Sequence, residues 1–191
     1  MVDRDPHGVQ RRVIGAHDFR LDGLTDLTLR ARGASVLDLG CNRGMVCVEM
    51  ANNGASVLHG CDNYETGVVT AREVFSDIRS VKYQFEVCDL TKGPDSLRPF
   101  FRDRQYDMVL MLATYHKIKR KMPEDVLSAL VTDLGERSTR YFAWRGTRDE
   151  HDSNNSEIIA LDRDLGACGM TRIHTSYIST ELGAAAIWAR G

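Results

Sequence analysis

The sequence lacks the features of a secreted, membrane-spanning or disulfide-stabilised protein. Its 191 residues contain no apolar run long enough to cross a bilayer, and the first residues, MVDRDPHGVQRR, lack the apolar stretch of a signal peptide. The five cysteines are odd in number and include no C-x-x-C pair, which argues against a disulfide framework and a structural zinc site. We therefore expect a cytoplasmic protein with reduced thiols, no metal site and no membrane partner.

An excess of basic residues is also missing. The chain has 25 Lys and Arg against 27 Asp and Glu, for a net charge of -2. Proteins that hold long stretches of nucleic acid normally carry a basic face, which supplies much of their affinity. A nucleic-acid acceptor is therefore the less favoured alternative, although a local basic patch remains compatible with this charge.

From residue 35 onward, strand-like runs alternate with helical patterns, which is typical of a parallel sheet covered by helices. Only residues 179–183 separate the last two strand candidates, too few for a crossover helix, so the last strand should be antiparallel. The expected fold is α/β: a doubly wound, mostly parallel seven-stranded sheet with helices on both faces. The strand candidates are Ser35–Leu39, Ser56–Cys61, Lys82–Val87, Asp107–Leu112, Arg140–Trp144, Arg172–Ile178 and Ala184–Ala189.

The helical patterns also carry boundary signals. One helix is expected to begin near Pro123 and to end before Gly135, and another to run from Ser153–Ser156 to a stop at Gly166. Residues 1–34 divide into a polar tail and an amphipathic segment with apolar residues at Leu21, Leu24, Leu27 and Ala31. Residues 35–191 then form the main domain.

The sharpest local signal is the stretch VLDLGCNRGMVCVEM, in which a buried strand runs through a glycine turn into a helix. A dinucleotide-binding turn needs glycines at G-x-G-x-x-G, and here those positions hold Gly40, Asn42 and Met45. No Gly-Lys-Ser/Thr follows, which excludes a P-loop. The turn allows a ligand to approach closely but is not built for phosphate.

Asp38-x-Gly40-x-Asn42-x-Gly44 resembles the acidic glycine loop of class I S-adenosylmethionine-dependent methyltransferases. The resemblance continues at the next strand ends. Asp62 follows Gly44 by 18 residues, at the family position that binds the ribose hydroxyls, and Asp89 matches the position that contacts adenine. It implies S-adenosylmethionine as the cofactor, bound by Asp38, Gly40, Asn42, Gly44, Asp62, Asn63, Asp89, Leu90 and Leu112.

The same resemblance places the methyl acceptor beyond the fourth strand, at "LATYHKIKRKMP". His116 is the candidate general base for a hydroxyl acceptor, because an unperturbed imidazole titrates near neutrality. Tyr115 could line the acceptor pocket, and Lys117, Arg120 and Arg145 could bind a carboxylate or phosphate, unless these charges form an ordinary solvated face. Residues 1–34 are a candidate lid over this pocket.

The resemblance implies a methyltransferase, and the small size of the candidate lid favours a small-molecule, sugar or chain-end acceptor. O-methylation is favoured, with an anionic acceptor as one option. Two alternatives remain open. The chain could be an RNA methyltransferase whose basic cluster Lys117–Lys121 binds phosphates, or a non-catalytic S-adenosylmethionine-binding partner subunit. The Asn/Asp-Pro-Pro-Tyr-like tetrad of DNA and protein amine methylators is replaced by ATYH at residues 113–116.

Overall fold

A computed structural model describes residues 19–102, 104–147, 153–179 and 183–191. The polar tail 1–18, and with it most of the proposed lid, lies outside the described residues, as does the charged segment 148–152.

One seven-stranded sheet forms the centre of the structure. Its strands in chain order are β1 (Ser35–Leu39), β2 (Val57–Asp62), β3 (Lys82–Val87), β4 (Tyr106–Leu112), β5 (Ser138–Arg145), β6 (Met170–Ser179) and β7 (Gly183–Arg190). The spatial order is β3-β2-β1-β4-β5-β7-β6. The first five strands are parallel, and β7 pairs antiparallel with both β5 and β6. This confirms the expected fold class, including the reversed last strand.

Helices connect the strands. They are α1 (Thr25–Leu29), α2 (Met45–Asn52), α3 (Glu65–Ser76), α4 (Arg98–Phe101), α5 (Tyr115–Lys119), α6 (Glu124–Arg137) and α7 (Ser153–Ala167). Short 3-10 turns lie at Phe19–Leu21, Leu90–Lys92 and Pro94–Ser96. Within the described ranges, no helix has the length and apolar composition needed to cross a membrane.

Side chains that alternate along the strands build two apolar cores, one on each face of the sheet. In β1, Leu37 and Leu39 contribute to the core that includes residues of α6 and α7, whereas Val36 contributes to the core that includes residues of α2 and α3. This period of two is what a strand buried on both faces requires. The amphipathic segment joins the second core through Leu24 and Leu27, both fully buried.

Two predicted helix ends differ from the structure. Helix α6 continues past Gly135 to Arg137, and α7 continues past Gly166 to Ala167. A Cβ at Gly135 would lie 3.0 Å from the Leu165 side chain in α7, so this glycine allows the close approach of α7 rather than ending α6. Helix packing explains that glycine better than a C-cap does.

Candidate functional site

A cavity of about 560 Å³ opens at the carboxyl ends of β1, β2 and β4 and beside the turn after β3. Ligands of open α/β sheets bind at this edge, because the loops after the strands converge there. A volume of this size suits a small organic ligand. The lining residues are Arg20, Gly40, Asn42, Arg43, Met45, Asp62, Asn63, Tyr64, Cys88, Asp89, Leu90, Thr91, Leu112, Ala113, Thr114, Lys117, Ile118 and Lys121.

The glycine turn forms one wall of the cavity and has left-handed backbone at two of its lining residues. Gly40 has φ +79° and Asn42 has φ +50°. A Cβ at Gly40 would lie 2.1 Å from the Oγ1 atom of Thr114, a distance that real atoms do not adopt. Glycine is therefore required at position 40, both for its backbone conformation and for the contact between the turn and β4.

Gly44 serves a different purpose, since it does not line the cavity. It precedes α2 with φ +74°, and a Cβ there would lie 3.1 Å from the Cβ of Ala71 in α3. The residue therefore lets the turn pack against α3, which fixes the position of the loop that carries Asn42.

Asp62 at the end of β2 has its carboxylate held by the backbone. Oδ2 accepts a hydrogen bond of 2.9 Å from the Asn42 N–H, and Oδ1 accepts one of 2.9 Å from the Tyr64 N–H. The first bond ties β2 to the glycine turn. A carboxylate offers about four lone-pair sites, so two backbone bonds leave acceptor capacity for a diol placed in the cavity.

Asp89 lies just after the end of β3 and is followed by the buried Leu90 and the half-buried Thr91. Its Oδ1 accepts hydrogen bonds from the Thr91 hydroxyl at 2.7 Å and from the Thr91 N–H at 3.1 Å. These bonds, together with the charges of Lys92 and Lys121, lower the pKa of Asp89. The carboxylate is therefore ionised at neutral pH and available as an acceptor for an amino group.

Asp38 lies beneath the turn and does not line the cavity. It is 1% exposed, and its Oδ2 accepts a hydrogen bond of 3.5 Å from the Cys47 thiol. Burial, followed by the negative charge of Asp38, raises the pKa of the Cys41 and Cys47 thiols. Both thiols are therefore protonated. Asp38 supports the glycine turn from the buried side and does not face the cavity.

The end of β4 forms the opposite wall of the cavity. Leu112 lines it, and Ala113 follows with φ +55°, a conformation that is uncommon for a residue with a side chain. Thr114 then donates a hydrogen bond of 2.9 Å from Oγ1 to the carbonyl of Leu39. This bond holds the ends of β1 and β4 together at the base of the cavity wall.

The structure separates the four residues that the sequence assigns to the acceptor. Lys117 lines the cavity from α5. Tyr115 is 2% exposed and packs into the core, and Arg120 is exposed outside the lining set. Arg145 is 1% exposed, and its Nη1 donates a hydrogen bond of 2.8 Å to the carbonyl of Asp22. Only Lys117 of this group faces the cavity.

His116 is half-buried at the start of α5 and is not among the residues that line the cavity. Its Nδ1 atom is buried and makes no hydrogen bond within the described part of the chain. Burial, with smaller effects of Lys117 and Arg120, lowers its pKa to about 4. The imidazole is therefore neutral at physiological pH, but it lies beside the cavity rather than in its wall.

Lys121 lines the cavity just beyond α5, and it belongs to the basic cluster Lys117–Lys121 identified from the sequence. Other lining residues were not identified from the sequence. Arg20 had no usable signal, since it belongs to the 3-10 turn Phe19–Leu21, far from every motif. Its Nη1 donates a hydrogen bond of 3.4 Å to the carbonyl of Gly40.

The charges of the cavity wall divide into two groups. Asp62 and Asp89 supply the negative charge at the β2 and β3 side, whereas Lys117 lies on the β4 side and Arg43 on the glycine turn. Among the described residues, no histidine lines the cavity. The described ranges also contain no group of three or more His, Cys, Asp or Glu side chains placed to hold a metal ion.

A family comparison identifies most of the region that forms the cavity. Residues 36–134 match the methyltransferase-domain family, which is 99 of the 191 residues and so just over half of the chain. The match begins in β1 and ends in α6. No curated protein sequence matches the chain at a significant level.

Solved structures with the same fold have low sequence identity. The magnesium protoporphyrin IX methyltransferase from Synechocystis PCC 6803, with bound S-adenosylmethionine, is 20% identical with a TM-score of 0.66, over 99% of this chain and 86% of that one. An S-adenosylmethionine-dependent methyltransferase from Mesorhizobium loti is 14% identical with a TM-score of 0.67, over 92% and 100%. The [4+2]-cyclase SpnF is 15% identical with a TM-score of 0.63, over 88% and 80%. The fold is thus shared with a cyclase as well as with methyltransferases.

Proposed function

The chain belongs to the class I S-adenosylmethionine-dependent methyltransferases, and on that premise we propose that it methylates an ionised oxygen on a small anionic acceptor. Carboxylates, phosphates and acidic phenols are acceptor classes that carry such an oxygen at neutral pH. The cavity wall next to β4 supports this proposal, because Lys117 and Lys121 line it. No histidine of the described residues lines the cavity.

The cofactor fits the opposite part of the cavity. Asp62 is held by two backbone N–H groups with acceptor capacity left for the ribose hydroxyls, and Asp89 lines the same cavity with a carboxylate that can accept from the adenine amino group. Gly40 lets the donor approach the turn without a side chain in the way. When bound, S-adenosylmethionine supplies an electrophilic methyl group on a positively charged sulfur.

The order of the strands supports a position for the acceptor beside β4. Asp89, Asp62 and Gly40 follow β3, β2 and β1, which are neighbours in the sheet, and β4 comes next. A donor that extends from Asp89 across Asp62 to Gly40 directs its reactive end toward β4. The chain's own contribution there is to hold the acceptor in line with the methyl group, which is the main requirement of such a displacement.

The charges on the β4 side favour a negatively charged acceptor. Lys117 on α5 and Lys121 just beyond it face a cavity that also receives a sulfonium cation. Like charges at short range in a partly enclosed site are unfavourable, so an anionic acceptor offsets both lysines and the sulfonium. A neutral amine or alcohol offers no such compensation.

An acceptor that is already ionised needs no general base. His116 is the residue that the sequence suggests for that role, and its position outside the cavity lining supports an acceptor that can react without proton transfer to the protein. The role of His116 as a base stays a prediction, which a variant can test separately from the acceptor class.

The experiment is an acceptor screen with a radiolabelled methyl donor, using matched compounds that differ only in the reacting group. We expect label transfer to carboxylic acids, phosphate monoesters or acidic phenols and none to the corresponding alcohols or primary amines. Salt-sensitive labelling of RNA with no labelling of small acids would contradict the proposal and favour an RNA methyltransferase.

Lys117→Gln gives the sharper test once one acceptor is known. Removing a cation that contacts the acceptor should raise the KM for that acceptor by about tenfold or more, because hydrogen bonds to charged groups contribute roughly 1.5–3 kcal/mol. Lys119→Gln is the matched control, since Lys119 lies on the same helix, is exposed and does not line the cavity. Equal KM values for both variants would place the acceptor elsewhere.

A further inference from the structure

Arg20 brings a positive charge to the glycine turn from outside the region that matches the methyltransferase family, which begins at residue 36. The side chain lines the cavity, and its Nη1 donates to the carbonyl of Gly40 at 3.4 Å. Its charge also lowers the pKa of the Cys41 and Cys47 thiols against the raising effects of burial and Asp38. The guanidinium therefore acts on the turn and on the residues just beneath it.

The segment that carries Arg20 is attached to the main domain at two further points. Arg145 at the end of β5 donates a hydrogen bond of 2.8 Å to the carbonyl of Asp22, and His174 Nε2 in β6 lies 2.9 Å from the carbonyl of Gly23. Leu21 and Leu24 on either side of these contacts are buried in the core. Arg20 is thus held over the cavity by a segment that is packed into the domain.

The position of Arg20 along the sheet edge selects one part of the donor. Asp89 and Asp62 follow β3 and β2, where the proposed function puts adenine and ribose, and Gly40 follows β1, one strand further on. The part of the donor beyond the ribose is an amino acid, which ends in a carboxylate. Asp62 and Asp89 repel a carboxylate, whereas a guanidinium binds one with a planar pair of N–H donors.

We propose that Arg20 binds the carboxylate of the donor's amino-acid portion, so that recognition of this end of the cofactor depends on the segment before β1. This inference rests on the donor site of the proposed function. It gives Arg145 a positioning role, since its bond to Asp22 holds the backbone two residues after Arg20. It also assigns to residue 20 a contact that the glycine turn alone cannot make.

The competing role for Arg20 is purely structural. Asp38 is a buried carboxylate next to the same two thiols, and a nearby cation would offset the cost of burying its charge. A structural role and a ligand-binding role make different predictions for two ligands that share everything except the carboxylate. S-adenosylhomocysteine and its decarboxylated analogue form such a pair.

The experiment is isothermal titration calorimetry of both ligands with the full-length wild type, Arg20→Ala and Arg20→Lys. We expect the wild type to prefer S-adenosylhomocysteine over the decarboxylated analogue by about 10- to 100-fold, and Arg20→Ala to reduce this preference to about one. Arg20→Lys should retain part of the preference, because a lysine keeps the charge but loses the planar pair of donors.

Arg30→Ala is the matched control. It removes the same charge from the same segment, but Arg30 is exposed and donates to the Tyr141 hydroxyl at 2.6 Å, away from the cavity. Its preference for S-adenosylhomocysteine should equal that of the wild type.

Each remaining outcome has a definite meaning. An unchanged preference in Arg20→Ala, or an equal loss of affinity for both ligands, would overturn the inference and leave Arg20 with a structural role at the glycine turn. Failure of the wild type to bind either ligand would instead count against the donor site itself, and so against the proposed function.

Discussion

At the scale of single residues, His116 separates two chemical routes to the same product. Its pKa of about 4 results from burial and from the neighbouring Lys117 and Arg120 charges. The imidazole is therefore neutral throughout the range from pH 6 to pH 8. With an ionised acceptor, we expect His116→Gln to keep turnover within about threefold of the wild type, since a positioned base would contribute about 10²–10⁴-fold. Steady-state rates at saturating acceptor measure this directly.

A loss of turnover by two orders of magnitude or more, with donor affinity retained, would establish His116 as the base and contradict an acceptor that needs none. Lys119→Gln again serves as the comparison, because it changes an exposed residue of the same helix that does not line the cavity.

Much of the candidate donor site could be predicted from the sequence because its residues follow strand ends directly. Asp62, Asp89 and Leu112 each occur where a β-strand finishes, and the parallel sheet brings these ends to one edge. Arg20 and Tyr64 could not be predicted, since their place in the cavity depends on how a loop and an N-terminal segment fold back. Arg145 follows the same strand-end rule, yet its side chain turns to the Asp22 carbonyl instead of the cavity.

At the scale of elements, the turn between β1 and α2 depends on glycine at position 40. Gly40→Ala places a Cβ 2.1 Å from Thr114 Oγ1 at a φ of +79°. We expect the free energy of unfolding to fall by about 2–4 kcal/mol, of which about 1–2 kcal/mol comes from the left-handed backbone alone. Denaturant titration followed by circular dichroism measures the change.

Two companion variants make this test specific. Gly166→Ala, in a helix and with no heavy atom within 4 Å of the new Cβ, should instead stabilise the protein by about 0.5–1 kcal/mol. In Gly40→Ala combined with Thr114→Ala, the cost should be smaller than the sum of the two single changes, because the smaller side chain removes the overlap with the Thr114 Oγ1 atom. Strict additivity would mean that the turn moves away from β4 without strain.

The elements themselves were predictable in type and order, and less so in their ends. Strands β1 and β3 have the predicted bounds, whereas β5 begins at Ser138, two residues before the predicted start at Arg140. The additional residues are polar, and they extend the strand because β4 offers a pairing partner: Ser138 pairs with Tyr106. Hydrophobic patterns detect what a strand buries, but the partner strand determines where it ends.

At the scale of the whole molecule, the position of the cavity couples ligand binding to stability. The cavity is bounded by the turn after β1, the ends of β2 and β4 and helix α5, so a ligand that bridges these parts binds the folded chain and has no site on the unfolded one. Any such ligand raises the free energy of unfolding, and the increase grows with the logarithm of its concentration relative to its dissociation constant. Thermal unfolding can therefore identify the ligand class before any acceptor is known.

We expect S-adenosylhomocysteine at 100 times its dissociation constant to stabilise the folded state by about 2.7 kcal/mol, or roughly 5–10 °C in the unfolding midpoint of a chain of this length. NAD at equal concentration should leave the midpoint unchanged, because Asn42 and Met45 line the cavity where a dinucleotide fold has glycines.

Asp62→Asn keeps the size of the side chain but removes the charge of the group that accepts hydrogen bonds from the ribose hydroxyls. In that variant, at the same ligand concentration, the stabilisation should fall by about 1.4 kcal/mol, which corresponds to a tenfold weaker complex. A shift that NAD produces and S-adenosylhomocysteine does not would contradict the donor site, and an undiminished shift in Asp62→Asn would place the ribose away from β2.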